Sequence, residues 1–215
     1  MITDDRSKIK VIPRNEFLTV EAVYGMIPHE FRLHMQRVAG YCDILMKNIE
    51  RDISFINVIE REFYAHAKDV FKYHDIGYAF VPLDYFGEDE EIPEHVIYAE
   101  DAFEKIVHKR LDAQIVKRAK ECAKYHHENY DGTGYPEGLK GEEIPFVARV
   151  CAIADMYDHL VNDNPYSINE GNGEIVDKIV SLSGKKFHPQ LVNVFVSCAE
   201  KFKRQDIIYG IYKRY

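Results

Sequence analysis

The run Ala152-Ile153-Ala154-Asp155-Met156 puts a carboxylate inside an otherwise apolar helical stretch. Burying such a group is costly unless it is paired or bound to a metal. The same difficulty recurs twice. His34 interrupts the stripe Phe31, Val38, Tyr41 and Leu45, whose three- and four-residue steps are helical. His126 and His127 close the stripe Ile115, Ala119, Cys122 and Ala123. The chain must give each interruption a partner of its own or fold so that they meet. Singly, each has an ordinary reading. His34 reads as a satisfied core histidine, Asp155 as a cap or a partner of Arg149, and His74-Asp75 as a surface pair. Together they point to one polar centre between helices.

Helical periodicity dominates the chain. Pro28 suits a first helical position, and a helix carrying His34 follows it. A second stripe (Ile56, Ile59, Phe63, Ala67, Val70) starts after Asp52, an N-cap residue type, and runs into Tyr73-His74-Asp75-Ile76-Gly77. Residues 80–93 read as a loop with a solvated acidic run. Helices are expected over about 94–109, 112–127, 147–161, 173–182 and 188–204. Asp131-Gly132-Thr133-Gly134-Tyr135-Pro136 is dense in turn formers, and 162–172 reads as a further loop. No segment shows strand alternation. The expected organisation is a lead-in over 1–27, one helical domain over 28–204 and a C-terminal tail over 205–215, the basic, aromatic stretch from Lys201 on reading most simply as a helix end packing on the body.

At 215 residues, 46% hydrophobic and 30% charged, the chain can bury a core without staples. A formal net charge of −8 argues against nucleic acid or an anionic membrane as partner. The cysteines, at 42, 122, 151 and 198, form no Cys-x-x-Cys pair and read as buried thiols of a reducing compartment. No signal segment or membrane-length apolar run is visible, so a cytoplasmic location is expected. The clusters contain imidazoles and carboxylates and lack thiolates, a donor set for iron, manganese or zinc. An aspartate can bridge two cations, and such a pair clamps a displacement at phosphorus.

Several motifs then resemble one family. His74-Asp75 is the pair that names the HD superfamily of metal-dependent phosphohydrolases. His126-His127-Glu128-x-x-Asp131-Gly132-x-Gly134-Tyr135-Pro136 resembles the signature of its HD-GYP branch. Gly141-Glu142-Glu143-Ile144-Pro145, Asp155-Met156-Tyr157-Asp158, Phe187-His188-Pro189 and His34-x-x-Arg37-Val38 extend the similarity over about 28–200. The resemblance implies an all-α, single-domain bundle with the metal centre between helices. It also implies hydrolysis of cyclic di-GMP by a hydroxide on a di-metal centre. Two divalent ions (Fe, Mn or Zn) would be held by His34, His74, Asp75, His126, His127 and Asp155. His74 and Asp75 would be central to catalysis, with Asp75 bridging. Glu30, one turn before His34, would assist a further ion or else be an exposed helix-start carboxylate.

The chain departs from the family where substrate is gripped. The family's lysine after His-Asp-Ile-Gly is Tyr78, and a phenol lacks its charge. A histidine ligand expected between the two main motifs falls in a window of Tyr98, Ala99 and Glu100, with His95 one turn earlier. Glu100 is the candidate oxygen ligand there. Two basic phosphate-binding positions read Asn164 and Ser167, removing contacts of about 1.5–3 kcal/mol each. Substrate-facing positions implied by the family are Tyr78, Gly134, Tyr135, Pro136, Asn164 and Ser167. The substrate class is a small nucleotide or phosphoester, with a signalling protein as a further partner. The competing expectation is a catalytically degenerate module that binds metal and acts through nucleotide or protein contacts.

Overall fold

The computed structural model describes residues 18–55, 58, 60, 63–81, 93–106, 112–162 and 172–210. Among these, eight α-helices follow in order: α1 Val20–Gly25, α2 His29–Ile49, α3 Phe63–Phe71, α4 His95–Lys105, α5 Ala113–Tyr125, α6 Phe146–Asn162, α7 Asn172–Ser181 and α8 Pro189–Tyr209. Extended pairing among the described residues is confined to isolated bridges, Leu18 with Ile106 and Ser183 with Phe187. The expected all-α bundle is what forms. None of the described helices is long and apolar enough to cross a membrane.

Helices α2 and α6 form the axis. On α2, Met35, Val38, Cys42, Leu45 and Ile49 recur at helical steps and are all buried, each contributing on the order of 1.5–3 kcal/mol relative to exposure. Helix α6 is buried nearly all round, from Phe146 through Val161, which marks a central helix. α2 packs on α3, α6 and α8, while α5 packs on α3, α4 and α6. At the base, the Asp206 carboxylate of α8 accepts hydrogen bonds from Tyr41 of α2 (2.5 Å) and Tyr157 of α6 (2.6 Å). Tyr41 also stacks on Phe202 with centroids 5.0 Å apart. This latch fixes the relative position of the two helices that carry His34 and Asp155.

Local signals explain several helix ends. Thr19 caps α1 and Asp112 caps α5 through side-chain bonds to backbone N–H groups. His188 Nδ1 accepts from Gln190 N at 3.2 Å, with Pro189 at the first helical position of α8. Gly210, at φ 72°, closes α8 in the left-handed region. Three expectations shift. α1 forms within the stretch read as a lead-in, and α8 runs on to Tyr209 inside the expected tail. Asp52 does cap, but only a single 3-10 turn, Ile53–Phe55, accepting from Ser54 N at 2.8 Å. α3 itself begins at Phe63. The four cysteines are free and buried.

Candidate metal centre

Five elements converge on one cluster. His34 comes from α2, and His74 and Asp75 from the turn after α3. His95 opens α4, His126 and His127 follow α5, and Asp155 comes from α6. Asp75 sits in the middle, and its two oxygens face opposite ways. Oδ1 lies 3.1 Å from His95 Nε2 and 3.3 Å from His126 Nε2. Oδ2 lies 3.4 Å from His74 Nε2 and 3.5 Å from His34 Nε2. Asp155 Oδ1 is 3.1 Å from His34 Nε2 and 3.5 Å from His159 Nε2. Donor atoms thus gather into three overlapping groups, each within 4.8 Å: Asp75, His95, His126 and His127; His34, His74 and Asp75; His34, Asp155 and His159.

Hydrogen bonding at the far side of the rings decides which nitrogens face inward. His74 Nδ1 donates to the Phe71 carbonyl at 3.1 Å, and His126 Nδ1 to the Cys122 carbonyl at 3.1 Å. A carbonyl only accepts, so each Nδ1 carries the proton, and in the neutral ring Nε2 presents a lone pair. His34 Nδ1 is held the same way by Asp158 Oδ2 at 2.8 Å. Yet His34 and His74 bring their Nε2 atoms to 3.3 Å, and His95 and His126 theirs to 3.5 Å. Facing lone pairs repel unless a cation or a shared proton lies between them. Metal–ligand bonds of about 2.0–2.2 Å put neighbouring ligand atoms about 3.0–3.5 Å apart, which is the spacing seen. The donor set therefore fits divalent ions.

Without ions, the cluster balances its charge with protons. Burial pushes the His34 imidazole down, but Asp155 and Asp158 outweigh it and hold the ring well above its ordinary value. Burial also opposes protonation of His126, and Asp75 nonetheless lifts it to about 9. The Asp75 carboxyl is pushed up by burial but kept well below the usual range by His74, His95 and His126. Asp155 is held down against burial by His159 and His34. Divalent ions would exchange with these protons.

The six side chains singled out in the sequence meet here. Arg149 does not partner Asp155; it lies over the Phe146 ring. Glu100 is exposed and outside the three groups. His95 takes that place because, at about 100° per residue, it lies roughly 140° around α4 from Glu100. Glu30 is likewise exposed and outside the groups, the helix-start reading of it. Asn164 and Ser167 fall outside the described residues. Sequence reasoning passed over His159 and gave Asp158 no role. Asp158, buried, accepts from His34 and from Arg37 Nε (2.7 Å) and Nη2 (2.8 Å).

Comparison with known proteins shows the family of the chain. The HD domain family matches residues 74–191, more than half of the chain. The chain belongs to the HD domain family. Relatives of this HD domain include the 3'3'-cGAMP-specific phosphodiesterase 2 of Vibrio cholerae, 28% identical over 177 residues, which cover 79% of this chain and 31% of that protein. A probable cyclic di-GMP phosphodiesterase of the same organism is 30% identical over 196 residues, 80% of this chain and 43% of that one. Among solved structures, a cyclic GMP-AMP specific phosphodiesterase of V. cholerae (V-cGAP3) superimposes with a TM-score of 0.51 at 16% identity, over 89% of this chain and 53% of that one. The chain spans less than half the length of these curated relatives.

The surroundings of the HD pair show where the departures act. Tyr78 is buried and stacks flat on His95, with centroids 4.4 Å and planes 5° apart. It is a wall behind that ring, and it also meets Phe31 in a tilted contact, centroids 4.5 Å apart. A Cβ at Gly77 would collide with the His95 carbonyl oxygen, so glycine lets α4 approach. The turn at 131–136 plays a supporting part. Tyr135 stacks on His127 at 5.0 Å and 12°. Gly134 packs so closely on the 127–129 backbone that no side chain fits there. Pro136 leads into the segment gathered by buried Glu128, which accepts from the N–H groups of Glu137, Gly138 and Leu139 at 2.7–3.0 Å.

Proposed function

We propose that this HD domain is a metal-dependent phosphodiesterase acting on a small nucleotide phosphodiester, with a cyclic dinucleotide as the first class to test. One observation carries the reading. Asp75 presents one oxygen to His95 and His126 and the other to His34 and His74, the arrangement of a carboxylate shared by two cations. His95, His126, His127 and Asp75 would hold one ion; His34, His74, Asp75 and Asp155 would hold the second. Bound divalent ions of the Fe, Mn or Zn type supply a nucleophile from water near neutral pH and offset charge on a phosphoryl group.

The protein's own contribution is orientation and exclusion. The Nδ1 bonds to Phe71, Cys122 and Asp158 fix ring directions before any ligand arrives. Tyr78 and Tyr135 close off the His95–His127 side. The His34 side keeps some exposure, with 12% for His34 and 47% for His159, so substrate would approach there. Relatives are named for 3'3'-cGAMP and cyclic di-GMP, which motivates both as test substrates. The buried free thiols fit a reducing compartment such as the cytoplasm. A signalling protein partner belongs to the same reading.

The test is turnover of 3'3'-cGAMP and cyclic di-GMP with Mn²⁺ or Fe²⁺, alongside metal per chain, for the wild type and Asp75→Ala. Two ions per chain and turnover that Asp75→Ala abolishes are expected. Tyr78 in place of a lysine favours the second reading, a metal-binding module without catalysis. Two bound ions with no turnover of any phosphodiester would select it.

A further inference from the structure

His159 is an unassigned imidazole at the mouth of the centre. It stands one helical turn after Asp155, on the same face of α6, with its Nε2 3.5 Å from Asp155 Oδ1. Its ring centroid lies 4.9 Å from that of His34, and the three side chains can offer ligand atoms within 4.8 Å of one another. The pair is looser than a direct charge-assisted hydrogen bond. Where a histidine and an aspartate are directly hydrogen-bonded in this protein, as His34 Nδ1 and Asp158 are, the separation is 2.8 Å, the usual charge-assisted length. The separation to His159 instead matches the 3.1–3.5 Å spacings among the inward-facing atoms around Asp75.

We infer that His159 is a further ligand to the divalent ion on the His34 side, at its solvent-facing edge. The inference rests on the two-ion reading above and adds to it a donor from this chain's own α6. The ion on the Asp75–His95–His126–His127 side has only buried protein ligands. The ion on the His34 side would be held in part by a side chain that is 47% exposed. Such a ligand can swing away without unfolding anything, so this ion is the one that exchanges readily.

The test compares wild type, His159→Ala and His159→Glu, loaded with Mn²⁺ or Co²⁺. The readouts are ions per chain after desalting, affinity by chelator competition and the visible spectrum of the Co²⁺ form. Because losing even an outer partner of a ligand costs about 10–100-fold in affinity, His159→Ala should hold one of the two ions at least about tenfold more weakly and alter the Co²⁺ spectrum. His159→Glu, which keeps a donor atom, should recover much of the affinity. The metal-free Tm should fall only modestly: His159 helps hold the Asp155 carboxyl down, but its side chain is half exposed. Two ions held by His159→Ala at wild-type affinity with an unchanged spectrum would overturn the inference while leaving the two-ion reading intact, even if activity falls. A wild-type chain that holds no ion at all would overturn both.

Discussion

The two halves of the centre are built differently. Around His95, His126 and His127 every side chain is buried, the rings are backed by Tyr78 and Tyr135, and His126 is oriented by a backbone carbonyl. On the other side His74 is also buried and held by the Phe71 carbonyl, but His34 is oriented by a side chain, Asp158, and the edge is a half-exposed histidine. A backbone anchor survives any substitution at its own position; a side-chain anchor does not. The buried half therefore behaves as part of the core, whereas the open half keeps contact with solvent, on the side where the proposed substrate would approach. Asp75 belongs to both.

The largest expected effect breaks the buried half. His95→Ala removes one of its four donors and leaves the Tyr78 ring against a void. Retention of the inner ion should fall by at least about 100-fold, beyond the range for losing an outer partner, and turnover should fall with it. Glu100→Ala, on the far side of α4, should change neither. Metal per chain and the rate of phosphodiester hydrolysis measure both. Loss of an ion from Glu100→Ala would mean that α4 is turned differently about its axis.

That pair of residues also shows how far the sequence could be read. His126, His127 and Asp155 were legible because each interrupts an apolar helical stripe, so the cost of burying it was visible. His95 interrupts nothing. It stands at the head of α4, and spacing from the neighbouring motifs pointed one turn too far along. What sets its place is tertiary: Gly77 admits the α4 backbone at His95 itself. His159 has the i,i+4 spacing from Asp155, but an exposed imidazole on a helix is unremarkable until His34 is known to lie beside it. Asp158 was visible in a motif, but its partners Arg37 and His34 lie 121 and 124 residues away. The helices were broadly legible from periodicity; the late start of α3 and the extension of α8 depend on packing.

Removing the ions should turn the whole centre into a proton-dependent element. In the folded, metal-free chain Asp75 lifts His126 to about 9 despite the opposing effect of burial, from an ordinary 6.5. A raised pKa means the folded state holds the proton more tightly. This contribution is complete below about 6.5 and is lost as pH rises through about 9. At ~1.4 kcal/mol per pKa unit it is on the order of 3 kcal/mol. Asp75 and Asp155, held below their ordinary value, contribute stability that is present above about 4 and disappears in acid. With chelator, Tm should therefore peak between about pH 5 and 6.5 and fall toward pH 9. With saturating divalent ions, which compete with the same protons, the fall should vanish or reverse. A chelated protein whose Tm is flat from pH 6.5 to 9 would show that Asp75 does not hold a proton on His126.

The smallest effect probes the open half through its anchor. Asp158 accepts three charge-assisted bonds, from His34 Nδ1 and from Arg37 Nε and Nη2. Asp158→Asn keeps the volume but replaces one acceptor oxygen with a donor NH₂. That group must then face another donor, Arg37 or His34. If it faces His34, the ring is best accommodated with its proton moved to Nε2, which blocks the nitrogen aimed at Asp75 and Asp155. The His34-side ion should weaken by about 10–100-fold, the range for altering a ligand's outer partner, while the buried ion is retained. Chelator competition on the Mn²⁺ or Co²⁺ form separates the two ions. Equal weakening of both would mean that Asp158 acts by holding α2 against α6, not by setting the direction of one ring. The contrast between a backbone-anchored His126 and a side-chain-anchored His34 would then fail.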